Sequence, residues 1–366
     1  MTDYHKYLKY KTKYLELKNN QIGGGIKYEF NSILKKLDNK YGIIIMKNNK
    51  VILEKYVGNS KDTRFRIFSL SKPITGLSII LLAQMNKLKL TDKISKYCIN
   101  IPNNDDITIN HLLYHSSGVY DFSSELYFKL NPKKLYNDIL DKNETKFVDF
   151  ETAVQVINEN KPYFKPLEKS KHYDPKNYNN TGFDILGYII YVVSGMKTDE
   201  FIKKYIFDKL KMNNSGFQHN KHVKESTPYE KDGSIGVKEQ QNWFCGNAYI
   251  SCTLRDYLKF MNGYHKLLKS KYREMYETMY WFGKNEKGIK FMWHFGAGDF
   301  NHSHKNEKDY NPPLSLSCML RIFEKNNDIS IIVSENKRNK NGFFTNNNKF
   351  TYKYWNNITN IVEEKN

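Results

Sequence analysis

The chain has 366 residues, 39% hydrophobic and 15% aromatic, enough to bury a large core and too rich in Tyr and Phe for a disordered tail. Its formal net charge of +19 invites a nucleic-acid reading, yet the lysines are spread among asparagines with no zinc-finger or RNA-recognition signature. A general Lys/Asn/Ile/Tyr bias is the blander cause; it leaves salt-sensitive contact with polyanions but no specific nucleic-acid partner. The four cysteines, Cys98, Cys245, Cys252 and Cys318, form no C-x-x-C pair, which argues against a zinc site and a disulfide framework and for free thiols in a reducing compartment.

Residues 1–25 form a basic segment with Tyr4, Tyr7, Leu8, Tyr14 and Leu15 near helical spacing, closed by a linker of Gly23, Gly24 and Gly25. This start has no apolar stretch of the signal-peptide kind, and the mostly apolar run at 77–83 is too short to span a bilayer. A soluble protein is expected, cytoplasmic or virion-associated. A helical stretch at 28–37 precedes two strand-like runs, GIIIM (42–46) and VILEKYV (51–57), which read as a hairpin. Helical patterns follow Lys72 and fill 181–195, stopped by Gly195; Thr253 opens another helix, with Asp256 completing a capping box. The polar, aromatic segment 119–171 reads as a lid or an insertion. IKFMWHF (289–295), SLSCMLRIF (315–323) and DISIIVSE (328–335) are strand-like, and 346–365 reads as a closing helix.

FSLSKPITG (68–76) places Ser69 three residues before Lys72 where a helical pattern begins. Residues three apart share a helix face. At a helix start the serine's own N–H is free of intrahelical bonding and can face a developing oxyanion. A buried lysine beside it can lose its proton and serve as base. The spacing alone is unspecific, since Ser32/Lys35 and Ser334/Lys337 share it.

The surroundings are more specific. FRIFSLSKPITGLSIILLAQMNKLKLTDKISKY, followed by DITINHLLYHSSGV (106–119), resembles the serine β-lactamase-related family of class C β-lactamases, penicillin-binding D,D-peptidases and related esterases. The family's Y-x-N motif ahead of a glycine-containing helix is matched by Tyr178, Asn179 and Asn180 before Gly182 and Gly187. IFDKLKMNNSGF (206–217) and GNAYISCTLRDYLKF (246–260) resemble later family segments in the same order, and [KH]-x-G falls on His294, Phe295 and Gly296. Phe295 stands where the family usually has Thr, Ser or another small residue. That loss of a hydroxyl weakens the case for β-lactams and D-Ala-D-Ala peptides.

The resemblance implies an α/β fold: an antiparallel sheet flanked by helices plus a mostly helical lobe. Within 26–366 the sheet lobe would comprise 26–68 and 270–366 and the helical lobe 69–269. It implies Ser69 as nucleophile, Lys72 as base and Tyr178 as proton shuttle, the last needing a cationic field that Lys72 and His294 would supply. Asn180 would orient Lys72 or bind a substrate carbonyl. The N–H groups of Ser69 and Ala297, the latter after Gly296, would form an oxyanion hole. His111, His115 and Gly118 read as structural, shaping a turn under the site. His302 and His304 lack a carboxylate partner, so no metal is expected, and no cofactor. The expected function is a serine hydrolase acting through an acyl-enzyme on a small-molecule or peptide-like ester or amide. The rival is a catalytically silent structural or virion protein, which the composition and the basic, glycine-closed start suggest by their likeness to proteins of large DNA viruses.

Overall fold

A computed structural model describes residues 41–122, 150–217, 246–285, 287–299, 314–325 and 328–335. Residues 1–25, the helical stretch at 28–37, Cys245, His302, His304 and the closing helix at 346–365 lie outside the described residues. The isoleucine run forms β1 (Tyr41–Lys47), paired with β2 (Lys50–Val57). Asn48 and Asn49 turn the hairpin with φ of 49° and 62°, a left-handed pair that asparagine tolerates and that matches strand twist.

The remaining strands are β3 (Phe65–Arg66), β4 (Ser215–Phe217), β5 (Ile250–Cys252), β6 (Phe282–Lys284), β7 (Lys290–Asp299), β8 (Leu314–Phe323) and β9 (Ile329–Glu335). Among the described residues, six strands make one antiparallel sheet in the order β2-β1-β9-β8-β7-β6, and β3-β5-β4 make a second. Early and late strands therefore meet in mid-sheet, with Ile44 opposite Ile332, as the strands at both ends of the sequence predict. β7 continues to Asp299 rather than stopping at 295, because β8 supplies partners along its whole length.

Helix α1 (Ser71–Gln84) is buried from Ser71 through Ala83, the burial expected of a helix apolar on every face. It packs on α2 (Thr181–Ser194) and α4 (Ser270–Tyr276), while α3 (Leu254–Gly263) packs on β1 and β9. Gly76 lets α1 approach Trp281 closely; a Cβ there would lie 2.5 Å from the indole. Gly195 closes α2 with φ of 70°, as the stop signal predicts.

The capping box at α3 is only half formed. Thr253 Oγ1 accepts from the Asp256 N–H, but the Asp256 carboxylate turns outward and accepts from the Asn214 N–H at 2.6 Å and the Ser215 hydroxyl at 3.1 Å. The Thr253 N–H donates instead to the Asn214 carbonyl at 3.2 Å, so tertiary bonds replace the local return bond. In the described parts of 119–171, a helix at Phe150–Asn158 stacks Phe150 on Tyr188 of α2. The chain then returns along the loop at 116–118, with the Tyr163 N–H on the Gly118 carbonyl and the Leu167 N–H on the Ser116 carbonyl.

Candidate active site

Ser69 lies in a 3₁₀ turn, Phe68–Leu70, that runs straight into α1. Phe68 immediately before it has φ of 46°, a left-handed conformation that costs a non-glycine residue roughly 1–3 kcal/mol and holds the serine on a sharp bend. Two buried phenols brace the bend: Tyr257 donates to the Leu70 carbonyl and Tyr276 to the Pro73 carbonyl, each at 2.9 Å.

Lys72, on the first turn of α1, has no exposed surface. Its Nζ lies 2.9 Å from Ser69 Oγ, 2.6 Å from Asn180 Oδ1 and 3.2 Å from the Asn247 carbonyl. Burial draws its pKa from 10.5 down to about 7, against the opposing pull of Asp184 and Asp121. A charged ammonium would donate to all three partners. A neutral amine has two hydrogens, enough for the two carbonyl oxygens, which leaves its lone pair facing the serine hydroxyl. The motif spacing thus brings a buried amine within hydrogen-bond reach of a serine hydroxyl.

The second motif is anchored by its backbone. Asp121 accepts from the N–H groups of Asn180 and Thr181 and from the Thr181 hydroxyl, covering the exposed donors at the start of α2. Asn179 donates its side chain to the Val119 carbonyl, and its N–H goes to His115 Nδ1. Asn180 is thereby held with its Oδ1 against Lys72 Nζ. Lys72 Nζ sits 4.9 Å from the Tyr178 ring centroid, and that ring meets Tyr280 edge-on with centroids 6.5 Å apart.

The third motif meets the backbone of Ser69 directly. A Cβ at Gly296 would fall 2.2 Å from the Ile67 carbonyl and 2.8 Å from Ser69 N, so only glycine lets β7 pass. Ala297 follows on the same strand, opposite Leu316. His294 is buried, with Nε2 2.9 Å from the Tyr280 hydroxyl and Nδ1 2.6 Å from the Phe295 carbonyl. Burial, with Lys72 adding to it, drives its pKa to about 3. Phe295 points to the opposite face and is 47% exposed, stacked against Trp293.

One expectation needs correcting. Of the cationic field expected to make Tyr178 acidic, the His294 half is missing because burial leaves that ring neutral; Lys72 lies 4.9 Å from the Tyr178 ring, yet burial pushes the phenol above its usual range. His111 and His115 are structural, as expected. His111 completes a capping box with Thr108 at the helix Ile109–Leu113, and His115 turns the chain with φ of 57°.

Four participants escaped the sequence reading: Asp121, Asp184, Asn247 and Tyr280. Asn247 Nδ2 donates to Asp184 Oδ2 at 2.7 Å while its carbonyl meets Lys72, so this pair lies directly behind the amine. Asp184 and Asn247 stood inside matched segments, where a polar residue among apolar ones was the available signal. Tyr280 carried none, being one tyrosine among 28. Among the described residues, no cluster of three or more His, Cys, Asp or Glu could hold a metal, and no helix is long and apolar enough to cross a membrane.

Comparison with known proteins bears on the family and the fold. The beta-lactamase family model matches residues 36–306. Protein flp of Staphylococcus aureus (strain MRSA252) is 28% identical over 294 residues, covering 70% of this chain and 54% of that protein. Penicillin-binding protein 4* of Bacillus subtilis (strain 168) is 34% identical over 155 residues, 42% of this chain and 30% of the relative. The chain thus spans about half the length of Protein flp and less of the second. The crystal structure of a D-stereospecific amidohydrolase from Streptomyces sp. superposes with a TM-score of 0.65 at 16% identity, covering 86% of this chain and 94% of that one. At such identity the likeness shows the fold.

Proposed function

The chain belongs to the beta-lactamase family, and from that premise we propose that it is a serine hydrolase cleaving an ester or amide bond through an acyl-enzyme on Ser69. The observation that carries the proposal is the fully buried Lys72, drawn to about 7 and 2.9 Å from the Ser69 hydroxyl. At neutral pH a large fraction of this amine is unprotonated, so it can take the serine proton as Oγ bonds to the substrate carbonyl carbon.

The tetrahedral oxyanion would be held by the N–H groups of Ser69 and Ala297, a pairing supported by the close approach of Gly296 to Ser69 N. Collapse breaks the bond to the leaving group, which departs with the proton held by Lys72, passed directly or across Tyr178. Water then attacks acyl-Ser69, gives its proton to Lys72 and releases the acid. Asn180 keeps Lys72 in place throughout. An amide substrate draws support from the Streptomyces neighbour, described as an amidohydrolase. The rival structural or virion role has no observation here in its favour.

A fluorophosphonate probe tests the proposal. It should label the wild type on Ser69, and Ser69→Ala should remove the label. Equal labelling of both proteins, or none of the wild type, would leave a catalytically silent family member.

A further inference from the structure

The unprotonated Lys72 amine has two hydrogens and three partners, so the places of its two carbonyl acceptors decide where its lone pair points. Those acceptors are Asn180 Oδ1 at 2.6 Å and the Asn247 backbone carbonyl at 3.2 Å. With both hydrogens spent on them, the lone pair is left for Ser69 Oγ at 2.9 Å. The Asp121 bonds to the N–H groups of Asn180 and Thr181 fix the first acceptor. The second is held by its own residue: Asn247 Nδ2 donates to Asp184 Oδ2 on α2 at 2.7 Å.

The backbone on either side of Asn247 is pinned to α1. The Thr75 hydroxyl donates to the Gly246 carbonyl at 2.6 Å, and the Ile250 N–H donates to the Ser71 hydroxyl at 3.2 Å. Gly246 leaves no slack, since a Cβ there would lie 2.2 Å from the Phe183 carbonyl. These bonds fix the ends of the segment, and the bond to Asp184 fixes the residue between them.

We propose that Asn247 is a positioning residue for the hydrolase reaction: its side chain, gripped by Asp184, holds its own carbonyl on the Lys72 amine and so aims that amine at the Ser69 hydroxyl. The proposal rests on the serine-hydrolase function above. A carbonyl that swings away leaves one amine hydrogen without its acceptor, and Ser69 Oγ is at hand to take it. Lys72 then donates to the oxygen whose proton it must accept, and the serine is tied up instead of activated. Asp184 thereby has two separable tasks. Its charge favours the ammonium form of Lys72, and one of its oxygens grips Asn247. Asn247 and Asp184 are both buried, so the expected signature is a loss of kcat with KM unchanged.

The test compares variants on a neutral ester at pH 9, where Lys72 is unprotonated and its charge is not the variable. Asn247→Leu, which removes the donor, should lower kcat about ten- to a hundredfold, the scale of a displaced catalytic group. It should also lower Tm, because the buried Asp184 carboxylate loses a hydrogen-bond donor. Adding Asp184→Leu removes the stranded charge and should restore most of the lost Tm while kcat stays slow. Asp184→Asn keeps an acceptor oxygen for Asn247 and should retain near wild-type kcat at this pH. Recovery of kcat together with Tm in the double variant would reduce the pair to a structural role and overturn the proposal. Wild-type kcat in Asn247→Leu, or a loss in Asp184→Asn as large as in Asn247→Leu, would overturn it too. Should Asn247→Leu not fold, the double variant and Asp184→Asn carry the test. A wild type neither active nor labelled at Ser69 is a different failure: the hydrolase function falls, and this proposal with it.

Discussion

Two basic side chains are buried on opposite walls of the same site, Lys72 at the start of α1 and His294 on β7. Burial lowers both by a similar amount, Lys72 from 10.5 to about 7 and His294 from 6.5 to about 3. The outcomes differ because the starting points differ and because the neighbours pull in opposite directions. Asp184 and Asp121 hold Lys72 up, whereas Lys72 itself presses His294 down. The same desolvation therefore leaves the lysine poised at neutrality and the histidine permanently uncharged. Burial alone makes neither group a catalyst; its distance from physiological pH afterwards decides what it can do.

The largest expected effect breaks the lysine wall. Lys72→Ala should lower kcat/KM by ~10²–10⁴, the usual contribution of a positioned base, and near wild-type turnover would point to another base. In the wild type, kcat/KM should fall as pH drops through about 7, because the protonated amine has no lone pair for the serine proton. Gly296→Ala comes next. Its Cβ would lie 2.2 Å from the Ile67 carbonyl, so β7 or the nucleophile turn must shift, and a displacement near 1 Å can cost about 10²-fold in rate. Unchanged kcat in that variant would show that the strand and Ser69 are less tightly coupled than their contact suggests.

Asp184→Asn asks what keeps Lys72 from sinking as far as His294. Removing a nearby negative charge disfavours the ammonium, so the Lys72 pKa should fall and the acid limb of the pH–rate profile should move to lower pH by about one unit. Activity at pH 7 should persist, since more of the amine is then unprotonated. A limb that stays put or moves upward would remove Asp184 from the account of Lys72.

The lysine wall was the more legible of the two. Ser69, Lys72, Tyr178 and Asn180 are fixed by short-range spacing on helices and turns, and a three-residue interval is visible in a sequence. The sheet was legible too, because β8 and β9 are apolar and β-branched runs around a turn. The electrostatics were not. Asp121 reaches Asn180 across 59 positions and Asn247 reaches Asp184 across 63, so no local pattern announces either. Tyr280 reaches His294 across only 14 positions, but one tyrosine among 28 gives no sign of that partner.

The smallest expected effect concerns the outer side of the β7 wall, where Phe295 replaces a hydroxyl residue. A penicillin or cephalosporin carries a carboxylate that a small hydroxyl and a cation can hold together. Here both are missing, since Phe295 is apolar and exposed and His294 stays uncharged at any pH well above 3. A neutral ester needs neither contact, so the wild type should hydrolyse p-nitrophenyl acetate or butyrate with a kcat/KM well above that for a cephalosporin. Phe295→Thr restores the hydroxyl but not the charge, and should raise the cephalosporin-to-ester ratio only about three- to tenfold, the worth of one ordinary, partly solvated hydrogen bond. Adding His294→Lys should raise it further, provided enough of the new amine keeps its proton against the burial that lowers Lys72. A wild type that prefers the cephalosporin, or a Phe295→Thr enzyme with an unmoved ratio, would show that the carboxylate is held by groups other than the third motif.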